Sequence, residues 1–137
     1  MSDWTLSLDA RHRRLQALVA AIDAGGSAGT LALYTTARPE SGGGIPGSAP
    51  QVPLTLGHPC GVVTDASLAF NDSGFSQIVS SGQALWGRIS TSAGDWVADL
   101  DVVDDMETYA YPVIRLLSAQ LYAGAYLALI GAVLVEP

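Results

Sequence analysis

The chain has 137 residues and a mass of 14.1 kDa, a size typical of one domain with a sizeable core. It carries 13 acidic residues against six basic ones, all Arg, for a net charge of −7; 14% of its residues are charged and 49% are hydrophobic. This composition excludes intrinsic disorder and argues against a broad nucleic-acid surface, which needs clustered Lys and Arg. Because so few charges protect a monomer poorly against association, we expect a homo-oligomer.

The first predicted element is a helix over residues 9–24, which follows an N-terminal arm at 1–8. Asp9 is its expected N-cap. Apolar residues recur at the spacing of one helical face: Leu15, Leu18, Val19 and Ile22. Three basic residues crowd the first half of the helix, where the helix dipole disfavours cations: Arg11, Arg13 and Arg14. They form either a solvated polar face or a contact with a partner.

The chain from residue 30 to 135 has the pattern of β structure punctuated by turns. Short strands are predicted at 30–35, 52–56 and 67–70, and Gly57-His58-Pro59 is expected to end the second of them. Residues 37–51 are predicted to form a loop between the first two strands. Its three consecutive glycines supply flexibility, and its prolines prevent regular structure.

The clearest β signal is a hairpin between residues 84–91 and 95–102. The connection Ser92-Ala93-Gly94 places a glycine where a three-residue loop favours a left-handed conformation. The second strand alternates between a predicted wet face, with Asp95, Val97, Asp99 and Asp101, and a predicted buried face, with Trp96, Ala98, Leu100 and Val102.

Two more strands are predicted at 112–118 and 126–135. The last is apolar on both faces, so the domain, the helix or a partner chain must cover both sides. Because no helix separates the strands, parallel βαβ units are excluded. The sequence therefore predicts a single domain over 1–137, an all-β antiparallel sandwich or barrel with one N-terminal α-helix.

Several function classes lack support in the sequence. The usual phosphate-binding, nucleophile-elbow and zinc spacings are missing, and His58 with Cys60 supplies two ligands where a structural zinc site needs four. The acidic residues from Asp99 to Glu107 form either a solvated face or a patch for an Arg-bearing partner. The tryptophans are interpreted as core or interface aromatics: Trp4, Trp86 and Trp96. We expect no catalytic residue, no metal and no cofactor.

The compartment is only partly constrained. A single cysteine cannot form an intrachain disulfide, which leaves the redox environment open. The first residues lack the basic and apolar regions of a secretory signal. The longest apolar stretch has about 11 residues, whereas a bilayer-spanning helix needs roughly 20, so no membrane association is expected.

Three segments together resemble the small virion proteins of tailed bacteriophages. The first segment consists of the helix end Leu-Val-Ala-Ala-Ile-Asp-Ala-Gly-Gly and the following residues 29–39. It resembles their Arg-bearing helix, glycine turn, short strand ending in Tyr-Thr and Arg-Pro loop. Residues 82–89 with 96–102 resemble their central strand pair, and residues 121–127 resemble their Ala-Gly turn before the final strand. The likeness covers most of residues 11–135, with a break at 104–111.

The resemblance implies a jelly-roll-like cement, or decoration, protein. Such a protein is made in the host cytoplasm and sits on the outer surface of the capsid. It bridges neighbouring major capsid subunits as a homo-oligomer, for which we favour a dimer over a trimer, and it neither binds nucleic acid directly nor enters a membrane.

Three regions are expected to make contacts. The helix arginines are expected to pair with acidic capsid residues, and the 37–51 loop to lie over a neighbouring subunit. The final strand is expected to pair with a second copy. The candidate residues outside the helix are Arg38, Pro39, Ile45, Tyr126, Leu127 and Leu129. The alternatives are a tail, collar or baseplate subunit with the same fold, and a carbohydrate-binding module that uses Trp and Tyr side chains.

Overall fold

The computed structural model describes residues 6–24, 26–47, 49–50, 52–72, 76–103, 113–116, 119–127 and 131–135. The described residues form one helix and eleven strands. These are α1 Leu8–Asp23, β1 Thr30–Tyr34, β2 Val52–Thr64, β3 Ser67–Asp72, β4 Ser76–Gln77, β5 Gly82–Gln83, β6 Trp86–Ser90, β7 Trp96–Val103, β8 Val113–Arg115, β9 Gln120–Leu121, β10 Tyr126–Leu127 and β11 Gly131–Val135.

The helix lies within one residue of its predicted bounds at each end. Its N-cap is Ser7 rather than Asp9, because the Ser7 side-chain oxygen accepts a hydrogen bond of 3.1 Å from the Ala10 amide. The predicted apolar stripe is confirmed: Leu15 and Ile22 are fully buried, and the helix packs on β2 and β3.

Seven strands close into a barrel in the order β1-β2-β3-β11-β8-β7-β6. The expectation of a β-rich barrel or sandwich with one helix is confirmed, but the expectation of an antiparallel sheet is wrong at one place, because β7 and β8 pair in parallel. The number of strands explains this pair. Strand direction cannot alternate all the way around a closed ring with an odd number of members, so at least one pair must be parallel.

The second predicted strand is much longer than expected. Gly57-His58-Pro59 does not end the second strand, since β2 continues through it to Thr64 and the His58–Pro59 peptide bond is cis. A bulge between Leu56 and Gly61 shifts the pairing with β3, and this irregularity accommodates a proline, which has no amide hydrogen to donate.

The predicted long strand at 126–135 is wrong, since two separate strands occupy the described part of that stretch. β10 pairs with β4 outside the barrel, whereas β11 lies within the barrel between β3 and β8. The domain itself covers part of this stretch, since Leu127 and Ala132 are buried and Leu134 packs against the core. The expectation that the final strand pairs with a second copy stays a prediction.

Residues 76–85 and 119–127 lie antiparallel to each other as two short two-stranded sheets with a turn at residues 122–125 between them, and we call this unit the ribbon. Its two ladders are β4 with β10 and β5 with β9. Between them, the Ile78 amide donates to the Ala125 carbonyl at 2.8 Å, and the Gly124 amide donates to the Ile78 carbonyl at 2.9 Å. The ribbon adjoins the barrel where the Leu85 amide donates to the Tyr34 carbonyl.

Candidate functional site

The predicted hairpin is confirmed, but a bulge changes which side chains it buries. Ile89 pairs with Ala98 while Ser90 pairs with Trp96, so Val97 is an extra residue in β7. The bulge places Trp96 on the outer face with Asp99, and half of its surface is exposed. The prediction that Trp96 shares the buried face of the strand is therefore wrong, and Val97 packs against the core instead.

A buried ion pair crosses the outer face of the hairpin. Arg88 on β6 and Asp99 on β7 are directly opposite each other. The Arg88 Nε lies 2.7 Å from Asp99 Oδ1, and Nη2 donates to Oδ2 at 3.1 Å, so the contact is bidentate. The side chains are 12% and 2% exposed. The Trp96 indole N–H also donates to Asp99 Oδ1, at 3.2 Å.

The surroundings keep both partners charged. Burial opposes the charge of Asp99, but the hydrogen bonds and the positive charge of Arg88, with donors from Trp96 and the Gly43 amide, outweigh burial and lower the pKa of that carboxyl. The pKa of Arg88 is raised chiefly by its hydrogen bond to Asp99. Removing either partner would leave an unpaired charge away from water, which is strongly destabilising, so this pair and the groups bonded to it stay in place.

The loop segment 38–47, which we call the strap, is tied to this ion pair. The Gly44 carbonyl accepts a hydrogen bond of 2.8 Å from Arg88 Nη2. At the start of the strap, Arg38 donates to Asp101 Oδ1 at 3.1 Å and to the Asp99 carbonyl at 3.0 Å. The glycine-rich segment predicted to be flexible is therefore bonded to the chain's own hairpin at two positions, Arg38 and Gly44.

The strap glycines let the backbone approach the Trp96 ring closely. A Cβ at Gly42 or at Gly43 would lie 2.9 Å from a ring carbon of Trp96, closer than carbon atoms pack. Gly43 also has a φ of +74°, which side chains disfavour. The glycines that indicated flexibility in the sequence thus serve a close contact across one face of the indole.

Aromatic side chains support the ion pair from the neighbouring strands. Trp86 is fully buried, and its ring stacks on Tyr34 with centroids 4.4 Å apart and planes at 14°. The Arg88 guanidinium carbon lies 5.2 Å from the Trp86 ring centroid, a cation–π distance. The Trp86 indole N–H donates to the Thr36 carbonyl at 2.9 Å, just before the strap. Arg88 is therefore held on two sides.

The strap presents one apolar side chain to solvent. Ile45, which follows Gly44 directly, is 93% exposed. Three predicted contact residues thus come together here: Arg38, Pro39 and Ile45. Of these, Arg38 binds its own chain. Sequence reasoning missed the pairing of Arg88 with Asp99, and its placement of Asp99 on a wet face is wrong, because that side chain is buried by the pair. A single arginine in the apolar run of 84–89, opposite an aspartate of the predicted hairpin, was a usable signal.

The helix arginines lie on α1 and do not join the strap, which packs on β6 and β7. Arg13 pairs with Asp9 at 2.9 Å on an exposed surface, and Arg14 is also exposed. Arg11 is partly buried, and its Nε has no hydrogen-bond partner within the described part of the chain. The prediction that these residues contact a partner stays a prediction.

The predicted contacts near the C-terminus are divided between two environments. Tyr126 on β10 is 69% exposed, whereas its neighbour Leu127 is 8% exposed and belongs to the core. Leu129 lies outside the described residues. Tyr126 is thus the one of the three whose described side chain is available to a partner.

His58 and Cys60 help to anchor the helix. The Cys60 amide donates to both carboxylate oxygens of Asp23, at 3.0 and 3.2 Å, and the His58 Nε2 lies 3.2 Å from the Asp23 carbonyl. Burial, followed by the nearby Asp23 charge, raises the pKa of the Cys60 thiol to about 11. Within the described ranges, no three His, Cys, Asp or Glu side chains are grouped as a metal site.

Comparison with protein-family models, with curated proteins and with solved structures finds no match to this chain. The described helix is neither long nor apolar enough to cross a bilayer. Function must therefore be argued from the geometry of the barrel and its surfaces.

Proposed function

We propose that this protein is a virion structural protein of a tailed bacteriophage, a cement protein that binds across major capsid subunits on the outer shell. The observation that carries the proposal is Ile45, an almost fully exposed apolar side chain on a strap tied to a buried ion pair. The resemblance of residues 11–135 to phage virion proteins is the reason for proposing major capsid subunits as the partner. The proposed role needs no catalytic group and no cofactor.

A fastened strap suits a binding role for an energetic reason. Ordering a flexible loop on binding costs conformational entropy, and a loop already held in place avoids that cost. An exposed aliphatic side chain on such a loop is suited to fill an apolar pocket of a partner. Two exposed acidic residues, Glu40 on the strap and Asp95 just before Trp96, favour an Arg-bearing rim around that pocket.

The proposal includes a jelly-roll relationship and assembly as a homo-oligomer. The jelly-roll part is supported by the mostly antiparallel barrel, in which six of the seven neighbouring pairs are antiparallel. Many copies on one shell would each add a modest interface, and their combined effect would resist expansion of the shell.

The test is decoration of expanded capsids that lack the protein, measured by co-sedimentation. We expect the wild type to bind, and Ile45→Asp to bind at least about 10-fold more weakly, because an unpaired carboxylate would enter an apolar pocket. Val62→Asp is the matched control, since Val62 is exposed on β2 and away from the strap. Failure of the wild type to bind would refute the proposal.

The number of copies per particle separates cement from the alternative of a tail, collar or baseplate subunit. Hundreds of copies support cement, and a small fixed number supports the tail. The carbohydrate-binding alternative has less support, because the strap glycines cover one face of the exposed Trp96 ring. A glycan array with strong binding would favour it over the capsid role.

A further inference from the structure

The outer face of the ribbon alternates regularly with the buried face, and it carries apolar side chains among uncharged polar ones. Along residues 76–85, the odd-numbered positions are exposed, whereas Ile78 and Ala84 are buried. Four of the eight exposed large hydrophobic residues found in the described part of the chain lie on this unit: Val79 at 67%, Leu85 at 45%, Tyr122 at 65% and Tyr126 at 69%.

The ribbon also carries no charge. Residues 76–85 and 119–127 contain no Asp, Glu, Lys, Arg or His, in a chain whose net charge is −7. The ion pair of Arg38 with Asp101 lies beside it, because Asp101 pairs with Trp86, which follows Leu85. These two charges offset each other. A surface depleted of charge and enriched in tyrosine is typical of the buried centre of a protein interface.

The charge distribution favours a second copy of this chain as the occupant. Two acidic copies repel each other, and that repulsion is smallest where neither surface bears charge. A twofold interface brings the same patch together twice, so a charged group near the axis would meet its own kind. The polar groups of the ribbon are Tyr, Gln and Ser, whose side chains both donate and accept hydrogen bonds. Identical groups of this kind can pair with each other.

We infer that the outer face of the ribbon is a self-association surface through which two copies of this chain pair about a twofold axis. Val79, Tyr122 and Tyr126 form its apolar centre, and Gln77 with Gln83 supplies self-complementary hydrogen bonds. The contact is made face to face, through the side chains of the outer face. The inference rests on one part of the proposed function, assembly as a homo-oligomer, and adds the surface through which the copies pair; it does not depend on binding to a capsid.

The experiment is sedimentation equilibrium of the purified full chain without capsids, over about 1 to 100 μM. The wild type is expected to be a dimer in this range. Tyr126→Glu and Val79→Glu each place a carboxylate in the contact and are expected to weaken dimerisation about 30-fold or more. Val62→Glu adds the same charge to an exposed valine of β2 and is expected to leave the dimer unchanged.

Circular dichroism and thermal melting would verify that each variant folds. A wild type that stays monomeric throughout the concentration range would overturn the inference. The inference would also be overturned if Tyr126→Glu and Val79→Glu weakened the dimer no more than Val62→Glu does. If the two ribbon variants lose capsid binding while the dimer persists, the ribbon faces the capsid and the inference is wrong, although the proposed function survives.

Discussion

Arg88 and Asp99 show how a residue pair outside a loop can hold that loop in place. Their bidentate contact fixes the guanidinium, and the guanidinium in turn holds the Gly44 carbonyl. Since Asp99 is 2% exposed, it cannot turn to water if its partner is removed. The stability of the strap thus depends on two side chains from other parts of the chain.

Arg88→Met is expected to destabilise the protein by about 3–5 kcal/mol, because it leaves the Asp99 carboxylate buried and unpaired. Urea denaturation measures the loss. The double change Arg88→Met with Asp99→Leu should recover most of it, since an apolar pair leaves no buried charge. The exposed pair gives the control: Arg13→Ala should cost less than about 0.5 kcal/mol. Equal losses for Arg88→Met and Arg13→Ala would contradict the role given to the buried pair.

At the scale of elements, the strap depends on glycine for two separable reasons. Gly43 has a positive φ, and its α-carbon also lies against Trp96. Gly26 offers a matched comparison, because its φ of +75° is nearly that of Gly43 at +74°, yet a Cβ there would meet nothing within 4 Å. The two positions therefore separate backbone strain from side-chain crowding.

Gly26→Ala is expected to cost about 1–2 kcal/mol from the positive φ alone. Gly43→Ala should cost at least about 1 kcal/mol more, because the new methyl group displaces the Trp96 ring and weakens its hydrogen bond to Asp99. Urea denaturation gives the costs, and tryptophan fluorescence reports the displacement. In a Trp96→Ala background the two glycine substitutions should cost the same. A persistent difference there would show that the crowding lies elsewhere.

The elements that the sequence predicted well are those set by local patterns. The helix stripe and the hairpin turn both follow from neighbouring residues. Trp96 was misplaced because a bulge depends on the partner strand, which a single strand's alternation does not contain. The contacts of the strap join residues 44 positions apart, so the loop could be located but its attachment could not.

At the scale of the whole molecule, closure of the barrel explains why the sequence pattern did not predict the parallel strand pair. An antiparallel prediction follows from strands without intervening helices, yet a seven-stranded ring forces a parallel pair. Which strands enter the ring depends on contacts between distant segments, and their number decides whether a parallel pair is needed. The ribbon was missed because its exposed positions mix Gln, Ser and Val and so lack the usual polar pattern.

The stability of the whole chain is expected to fall in acid through Asp99. Its pKa is lowered in the folded state, so its contribution is complete above the ordinary value of about 3.9 and is lost as the pH falls through the lower folded value. The free energy of unfolding, measured from pH 6 down to about 2, should therefore decline less steeply for Asp99→Asn than for the wild type. Parallel pH profiles for the two proteins would refute this assignment.

The ribbon joins two segments that are distant along the chain, as the contact between Gln77 and the Gly124 carbonyl, 47 positions apart, illustrates. Most of the barrel's second half, including β6, β7 and β8, lies between them in the sequence. A copy whose synthesis stops before residue 119 therefore has no ribbon, although closure of the barrel also needs β11, which follows the ribbon in the chain. The inferred pairing would admit only chains in which both ribbon segments have come together, and it would leave shorter copies as monomers.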